Sequence, residues 1–370
     1  MSAKDKFSSP LAPNDLPRIL ILTPSSEPGG TQRNIELLCR NISASQYNIC
    51  VVTNFGSGEL SKRVQKTEHN AQEFRCFSKP LEYSRLKQFT AKFQPHLIHS
   101  FLLRANWLAS RLRLSRTELP WIAAERTMDL TRPFWKARVN ARLLSKASRV
   151  HAVSQPVKDI LISRDKLPSD QIKVVPGGFE PQPQSSHVPT VISTLEHPRF
   201  ACLSQLRREK NVQLALESFR RFRKFHNRGS LTLIGSGSEE SFLRNMASRS
   251  SLQDHVHFLG AHTNGREYLS QFDCVVIPSS EEAFPNTMLE AWASQVPVVS
   301  TDTEGAIAMA GSPSGALLVP PAKLSDAMLD ISSSEELSDE LIRIGSERLK
   351  KFKIETAVKK VMAEWAELIF

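Results

Sequence analysis

Short runs of β-forming apolar residues alternate with segments of helical periodicity along this chain, and no other feature of the sequence limits the fold as strongly. Residues 18–23, for example, read RILILT, end in a loop of Ser, Pro and Gly, and precede a helical pattern over residues 31–42. Strands that alternate with helices predict a mostly parallel, doubly wound α/β sheet. The strands predicted in the first half are residues 18–23, 47–53, 96–101, 121–125, 149–153 and 172–175.

The same alternation restarts after residues 181–197, a segment rich in proline and serine. A chain of 370 residues suits two domains of about 150–200 residues each. We therefore predict a flexible tail (1–17), an N-terminal Rossmann-like domain (18–180), a linker (181–197) and a C-terminal Rossmann-like domain (198–370), whose last helix is a candidate to return to the N-terminal domain. The later strands are predicted at residues 200–204, 231–234, 255–259, 274–278 and 296–300, with helices at 211–226, 239–249, 287–294 and 324–331.

Composition narrows the class of protein. Hydrophobic residues make up 40% and charged residues 23% of the chain, as in soluble globular proteins. No apolar run approaches the roughly 18 residues that cross a bilayer, and residues 1–17 lack the apolar core of a secretion signal. The five cysteines are widely spread, without the spacing of a zinc site or disulfide frame. We therefore expect reduced core cysteines and a cytoplasmic protein.

Positive charge is concentrated in the first half, where residues 1–180 hold 28 Lys and Arg against 15 Asp and Glu. This surplus favours an anionic partner: a membrane surface, a phosphorylated acceptor or nucleic acid. Residues 132–149 combine Phe134 and Trp135 with several basic side chains, which suits the anionic inner face of a membrane. An amphipathic helix with a solvated face is the alternative. Because no nucleic-acid recognition motif is present, we expect no nucleic-acid partner.

Two glycine loops follow predicted strands, at positions where doubly wound sheets bind anions. Gly30 lies in a Gly-Gly-Thr triplet after the first strand, and Gly235 begins a Gly-Ser-Gly triplet after residues 231–234. The missing side chains would let a phosphate approach the backbone closely. A glycine turn that binds nothing is the equally common alternative.

The most informative segment is residues 277–292, which read IPSSEEAFPNTMLEAW. A strand ends at Pro278, a loop carries Glu282, and a helix begins near Asn286 with Glu290 in its second turn. Eight residues span about 12 Å along a helix, so the two carboxylates suit a sugar and a ribose on either side of a diphosphate held by the first helix amides. Two surface carboxylates that favour the helix dipole are the simpler alternative.

This segment resembles the Glu–seven residues–Glu signature of the retaining glycosyltransferases of family four, also called the group 1 family, which have the GT-B fold. The family's first glycine loop and third-strand motif have counterparts here, and so do its phosphate loop and several later motifs. In order along the chain, the similar stretches are residues 29–33, 98–100, 153–154, 175–180, 206–210, 256–260 and 315–321. The resemblance implies two Rossmann-like domains that face each other across a cleft, with the donor bound by the C-terminal one.

The resemblance also implies roles for individual residues. Glu282 would contact hydroxyls of the donor sugar, with the amides of Ala283 and Phe284 nearby. Glu290 would bind the ribose hydroxyls. Lys210, which with Glu282 would be catalytic, would neutralise the leaving phosphates. The backbone N–H groups of Asn286 and Thr287 would bind the diphosphate, and Gly30 would close over it from the other domain. Gly235 belongs to the same predicted donor site.

Several positions depart from the family pattern. Gln205, preceded by Ser204, stands where the phosphate loop has Gly-Arg, and Arg207 or Arg208 is the candidate substitute for the missing charge. Phe101 replaces a second histidine of the third-strand motif. These departures keep open a degenerate nucleotide-sugar-binding protein, and the fold also admits another GT-B enzyme such as a sugar-nucleotide epimerase or a phosphorylase.

His99 and Arg126 are candidates for acceptor or cleft contacts. His99, at a strand end, either lines the cleft or is a satisfied core histidine. Arg126, just past a strand, either meets an acceptor or donor phosphate or is a solvated arginine. The sequence has no Asp-any-Asp triplet, the carboxylate pair that holds a divalent ion in the other major glycosyltransferase fold. We therefore expect no metal ion and no cofactor.

The sequence thus predicts a cytoplasmic, metal-independent retaining glycosyltransferase of the hexosyl- or N-acetylhexosaminyltransferase class, peripheral on the inner face of the membrane. Its donor would be a nucleoside-diphosphate sugar, UDP-linked on family frequency. Its acceptor would be a saccharide or lipid-linked glycan of the cell surface, such as lipopolysaccharide.

Overall fold

The chain divides into two compact units in the computed structural model. The model describes residues 15–56, 58–76, 78–115, 118–130, 133–181, 190–250, 252–261 and 265–370. The first unit runs to Gly178 and includes Ile354–Phe370, and the second comprises Phe179–Lys353. Each unit is built around one parallel sheet with helical crossovers, so the predicted fold class is confirmed. Residues 1–14 of the predicted tail and 182–189 of the predicted linker lie outside the described residues.

The first unit contains a seven-stranded sheet. Its strands and helices are β1 (Arg18–Leu22), α1 (Gly30–Asn41), β2 (Asn48–Thr53), α2 (Glu59–Gln65), β3 (Asn70–Glu73), α3 (Lys79–Phe93), β4 (Leu97–Phe101), α4 (Leu102–Ser115), β5 (Trp121–Glu125), α5 (Phe134–Leu144), β6 (Arg149–Ala152), α6 (Gln155–Ser163) and β7 (Ile172–Val174). The strand order is β3-β2-β1-β4-β5-β6-β7. Strand β3 is absent from the sequence prediction because its residues, Asn-Ala-Gln-Glu, form no apolar run; it pairs with β2 at the sheet edge.

The second unit contains a six-stranded sheet. Its strands and helices are α7 (Thr190–Ser193), β8 (Arg199–Leu203), α8 (Val212–His226), β9 (Ser230–Ile234), α9 (Glu240–Arg249), β10 (Val256–Gly260), β11 (Cys274–Ile277), α10 (Asn286–Ala293), β12 (Val298–Thr301), α11 (Glu304–Ala310), β13 (Leu317–Val319), α12 (Leu324–Ser333) and α13 (Glu335–Leu349). The order is β10-β9-β8-β11-β12-β13. Helix α8 packs on the sheet because Val212, Leu216, Phe219 and Phe222 recur at helical spacing and are all buried.

The last helix, α14 (Ile354–Ile369), belongs to the first unit. It buries Ile354, Val361 and Trp365 in the same hydrophobic cluster as β1 and α1. The Trp365 ring meets Tyr47 edge-on, with 5.3 Å between ring centroids. At the start of the helix, a Cβ on Gly178 would lie 2.7 Å from the Ile354 Cα, so only glycine allows this close approach.

The five cysteines, Cys39, Cys50, Cys76, Cys202 and Cys274, are buried free thiols. Burial raises the pKa of Cys202 and Cys274 to about 12. They therefore behave as small hydrophobic core residues, as the sequence predicts.

Each sheet has one switch point, where the strand order reverses and neighbouring loops leave in opposite directions. It lies between β1 and β4 in the first unit and between β8 and β11 in the second. In doubly wound sheets, ligands bind beyond the carboxyl ends of the strands at this point.

Candidate functional site

The switch point of the second sheet brings together two loops that the sequence analysis singled out. Strand β8 leads into the loop of Gln205 and Lys210, and β11 leads into the loop of Glu282. The two strands are hydrogen-bonded neighbours, with Cys274 opposite Phe200. Lys210 and Glu282, which are 72 residues apart in the sequence, therefore lie side by side at one edge of the sheet.

Glu282 and Lys210 form an ion pair at this edge. The Lys210 Nζ, in a 3-10 turn at Arg208–Lys210, lies 2.7 Å from Glu282 Oε1. The hydroxyl of Ser279 donates to the same oxygen at 2.7 Å. Glu282 is 8% exposed, so its carboxylate is largely removed from water and is stabilised by these two donors.

Backbone hydrogen bonds from neighbouring loops hold the Glu282 loop. Gly305 N donates to the Glu282 carbonyl at 3.1 Å, and Ser280 N donates to the Glu209 carbonyl at 3.1 Å. The hydroxyl of Thr301, at the end of β12, donates to the Ser279 carbonyl at 2.6 Å. A Cβ on Gly305 would lie 2.0 Å from the Glu282 carbonyl oxygen, so this contact requires glycine. The loop is thus fixed from both sides before any ligand binds.

The glycines after β9 permit a second close contact. Gly235 has φ +146°, and a Cβ there would lie 1.8 Å from the Ser204 carbonyl oxygen. A Cβ on Gly237 would lie 2.2 Å from the Leu206 carbonyl oxygen. The two loops also pair directly, because Leu206 N donates to the Ser236 carbonyl at 2.9 Å. Packing against the β8 loop therefore accounts for these glycines, and the predicted donor contact of Gly235 stays a prediction.

Helix α10 begins beside the Glu282 loop. Its first residues are Asn286 and Thr287, and the N–H groups of a first helical turn have no partner inside the helix. The Thr287 hydroxyl donates to the Leu203 carbonyl at 2.9 Å, which ties the helix start to the end of β8. Glu290 is half-buried, one turn further along the same helix. The helix start, Glu282 and Lys210 therefore share one edge of the sheet.

The remaining predicted donor residues surround this edge. Ala283 is buried, and the half-buried Phe284 packs edge-on against Phe352 with 5.6 Å between ring centroids. Gln205 and Arg207 are exposed on the β8 loop.

Three further predicted residues lie in the first unit. Gly30 is the first residue of α1, after Gly29 in extended conformation. His99 is 1% exposed in β4 and contacts the rings of Phe101 and His151, which fits a core histidine. Arg126 is half-buried, and burial lowers its pKa to about 10. Both His99 and Arg126 line a small cavity of this unit.

Ser279, Thr301 and Asn34 contribute to these sites without having been predicted from the sequence. Ser279 lies within the singled-out segment, where nothing distinguishes it from the adjacent Ser280. Asn34 lies one turn into α1 and accepts a hydrogen bond from Arg126 at 3.3 Å. Its position shortly after the first glycine loop is the feature of the sequence that could have suggested Asn34 as a site residue.

Known families and proteins share these features. The family described as "Glycosyl transferases group 1" matches residues 192–348, and "Glycosyltransferase Family 4" matches residues 28–182. Among curated proteins, the lipopolysaccharide core biosynthesis glycosyltransferase LpsD of Rhizobium meliloti is 32% identical over 123 residues, which is 32% of this chain and 36% of LpsD. An uncharacterized glycosyltransferase of Methanocaldococcus jannaschii is 30% identical over 103 residues, 28% of this chain and 25% of that protein. The matched stretches thus span well under half of these relatives.

Solved structures match over nearly the whole length at low identity. HepE of Anabaena, in complex with UDP and glucose, has a TM-score of 0.79 at 17% identity, covering 95% of this chain and 99% of that one. Sucrose-phosphate synthase of Thermosynechococcus elongatus has a TM-score of 0.81 at 17% identity, with the same coverage of 95% and 99%. These likenesses establish the fold.

The two family matches follow each other along the chain, one on each unit, and the second contains the Glu282 loop and α10. The stretches that resemble family motifs in the sequence lie within these two matched ranges. This chain therefore belongs to the group 1 glycosyltransferases, family four, with the GT-B fold.

Proposed function

We propose that this protein moves a hexosyl or N-acetylhexosaminyl group, with retention, from a nucleoside-diphosphate sugar to a saccharide or lipid-linked acceptor in cell-surface glycan biosynthesis. The observation that supports this most directly is the pairing of Glu282 with Lys210 beside the start of α10. The Glu282 carboxylate, which suits sugar hydroxyls, therefore lies next to the Lys210 ammonium, which suits phosphates.

In the proposed complex, the diphosphate lies at the start of α10, where the N–H groups of Asn286 and Thr287 bind its oxygens. Lys210 then pairs with the phosphates instead of Glu282. The Glu282 carboxylate becomes available to the sugar hydroxyls, and Glu290 accepts hydrogen bonds from the ribose. Lys210 has an opposite charge beside it in either position, and Ser279 and the sugar hydroxyls donate to the Glu282 carboxylate that Lys210 leaves.

The chemical step follows from this arrangement. As the bond between the anomeric carbon and the phosphate breaks, negative charge grows on the departing oxygen. The Lys210 ammonium and the helix amides stabilise that charge more in the transition state than in the ground state. With no protein nucleophile assigned, the acceptor hydroxyl oxygen bonds to the oxocarbenium-like carbon on the face that the phosphate leaves, which gives retention. The proton of that hydroxyl passes to the departing phosphate oxygen.

Similar proteins support the choice of donor and acceptor. HepE, which shares the fold, was crystallised with UDP and glucose, and also with UDP-glucose. LpsD is named for lipopolysaccharide core biosynthesis. We therefore favour a UDP-sugar as donor and a cell-surface glycan as acceptor.

We further propose that the reaction uses no metal ion. Lys210 and the α10 amides supply the positive charge that a divalent cation supplies to phosphates in other transferases. In the described part of the chain, no group of three His, Cys, Asp or Glu side chains could hold a metal ion. Activity that persists in the presence of a chelator would support this part of the proposal.

Peripheral membrane contact on the cytoplasmic side is also part of the proposal. None of the helices in the described ranges is long and apolar enough to span a bilayer. Helix α5 carries exposed apolar side chains, with Trp135 64% and Val139 51% exposed. Lys136 Nζ lies 5.3 Å from the Trp135 ring centroid, and Arg138 and Arg142 are exposed nearby. Basic groups around an exposed indole suit anionic headgroups.

Two alanine variants test the separate roles proposed for Glu290, which binds the ribose, and Glu282, which contacts the donor sugar. Glu290→Ala should weaken UDP binding by about tenfold, because charge-assisted hydrogen bonds to the ribose are lost. Glu282→Ala should reduce sugar transfer at least about 100-fold and leave UDP affinity nearly unchanged. UDP affinity is measured by calorimetry, and transfer by UDP release from UDP-sugars with a lipid or polysaccharide extract as acceptor.

Glu304→Ala is the matched control, since Glu304 is exposed in the first turn of another helix, α11. It should change neither quantity. Equal loss of UDP affinity in both test variants would contradict the assigned roles. UDP binding by the wild-type protein without UDP release from any UDP-sugar and acceptor would instead indicate a degenerate binding protein.

A further inference from the structure

The first unit has a small cavity that the donor site does not use. It lies around the carboxyl ends of β4 and β5 and is closed on one side by Ala357 and Val361 of α14. Its polar lining includes Asn34, His99 and Arg126. All of these residues belong to the first unit.

Arg126 is a half-buried cation for which no carboxylate partner occurs among the described residues. Its guanidinium donates to Asn34 Oδ1 at 3.3 Å, and burial lowers its pKa to about 10. Two other half-buried arginines of this unit are paired with carboxylates: Arg164 Nε lies 2.7 Å from Asp165, and Arg149 Nε lies 3.0 Å from Glu364. A guanidinium that is partly removed from water without a counter-ion is unfavourable, so an anionic ligand is the natural partner for Arg126.

His99 adds a hydrogen-bond donor to the same cavity. Trp365 Nε1 donates to His99 Nδ1 at 3.2 Å, so Nδ1 carries no hydrogen. Burial, together with the neighbouring His151 and Arg126, lowers the pKa of His99 well below its usual value, so the ring is neutral. The hydrogen is therefore on Nε2, which is buried and has no hydrogen-bond partner among the described residues. An unsatisfied buried donor next to an unpaired cation is costly unless a ligand accepts from it.

We propose that Arg126 and His99 form an anion-binding site, with Arg126 oriented by Asn34, and that this site takes a phosphate or carboxylate group carried by the acceptor saccharide. The guanidinium supplies the charge and a planar pair of donors, and the imidazole supplies a third donor. The assignment of this anion to the acceptor rests on the proposed function, which places the donor in the second unit. The anion site itself does not depend on that assignment.

The test measures equilibrium binding of three sugars to the full chain by calorimetry, in the presence of saturating UDP. Glucose 6-phosphate and glucuronate carry the two kinds of anion, and glucose is neutral. We expect at least one anionic sugar to bind, and glucose to bind at least about tenfold more weakly. Arg126→Met should weaken the anionic sugar about 10- to 100-fold. Arg111→Met, which removes an exposed arginine of α4, should leave its affinity unchanged.

Two further measurements separate a ligand site from a structural role. Arg126→Met should keep or raise the Tm, because it removes a half-buried charge without a counter-ion. His99→Asn keeps an acceptor near the Nδ1 position but loses the Nε2 donor, whereas His99→Gln can place an amide near Nε2. Only His99→Asn should weaken the anionic sugar.

Several results would overturn the proposal. These are no binding of either anionic sugar, equal affinity for glucose, unchanged affinity in Arg126→Met, or a Tm of that variant several degrees lower. The titration is repeated without UDP: an anionic sugar that binds only when UDP is absent would lie in the donor site, and the acceptor assignment would be overturned. Failure of the proposed function would show separately, as absent UDP release with anion binding intact.

Discussion

At the scale of single residues, Glu282 depends on donors from separate segments for its position. Lys210 Nζ and Ser279 Oγ each lie 2.7 Å from Oε1, so both side-chain donors meet the same carboxylate oxygen. In the proposed donor complex Lys210 turns to the phosphates, and Ser279 is then the side chain that continues to orient the carboxylate. Ser279 is 1% exposed, which leaves it no competing water.

Ser279→Ala should therefore reduce kcat about 10-fold while the KM for the UDP-sugar changes less than about threefold, because a hydrogen bond to a charged group is lost and the nucleotide contacts stay. Steady-state kinetics of UDP release measure both constants. Ser280→Ala is the control: its exposed hydroxyl donates at 3.2 Å to the Glu209 carbonyl and not to Glu282. Equal effects of the two variants, or a purely KM effect of Ser279→Ala, would count against this role.

The charged residues of the proposed donor site are visible in the sequence, whereas the residues that hold them in place are not. Glu282, Lys210 and Glu290 belong to a spaced motif, and a motif of charges is visible in a single sequence. Ser279 and Thr301 act through hydrogen bonds between loops that are distant in the chain, and serine and threonine at strand ends are common for other reasons. The unpaired state of Arg126 likewise depends on which carboxylates the fold brings near.

At the scale of elements, the loops of the proposed donor site, at the carboxyl ends of β8, β9 and β11, pack so tightly that some contacts require glycine. Gly235 shows this most strongly, because its φ of +146° is strained for other residues and its missing Cβ would lie 1.8 Å from the Ser204 carbonyl oxygen. The contact sets the path of the β8 loop, which carries Lys210. Loop packing and the placement of the proposed catalytic ammonium are thus coupled.

Gly235→Ala should lower the free energy of unfolding by more than about 2 kcal/mol and also weaken UDP binding, because the β8 loop must shift. Gly260→Ala is the matched control. Gly260 also has a positive φ, +71°, but a Cβ there would meet no atom within 4 Å. Only the backbone strain of about 1 kcal/mol should remain, with UDP affinity unchanged. Urea unfolding and calorimetry measure the two quantities, and equal destabilisation of both variants would refute the packing argument.

The elements themselves were predictable where apolar runs or helical periodicity mark them. The edge strand β3 was not predicted from the sequence, because edge strands pair through backbone groups and need little apolar surface. Strand β13 has only three residues, Leu317–Val319, all half-buried, which is too short for a periodic pattern. The last helix, α14, was a candidate to return to the N-terminal domain, and its place beside β1 and α1 follows from tertiary packing around Trp365.

At the scale of the whole molecule, charge is unevenly distributed along the sequence. Residues 1–180 carry 28 Lys and Arg against 15 Asp and Glu, whereas the entire chain carries 48 against 38. The positive surplus therefore lies in the part that forms most of the first unit. Long-range attraction to an anionic surface depends on such a surplus, while the depth of insertion depends on exposed apolar side chains such as Trp135.

The protein should consequently bind vesicles that contain phosphatidylglycerol more tightly than vesicles of phosphatidylcholine alone, and added salt should weaken this binding because it screens the charges. Trp135→Ser should lower partitioning about tenfold, since the indole no longer enters the interface. Phe242→Ser is the control, because Phe242 is another exposed aromatic residue, 50% exposed, in α9 of the second unit. Cosedimentation measures the bound fraction. If charge alone were responsible, Trp135→Ser would bind as the wild type does; if α5 were only a solvated amphipathic helix, neither lipid composition nor salt would matter.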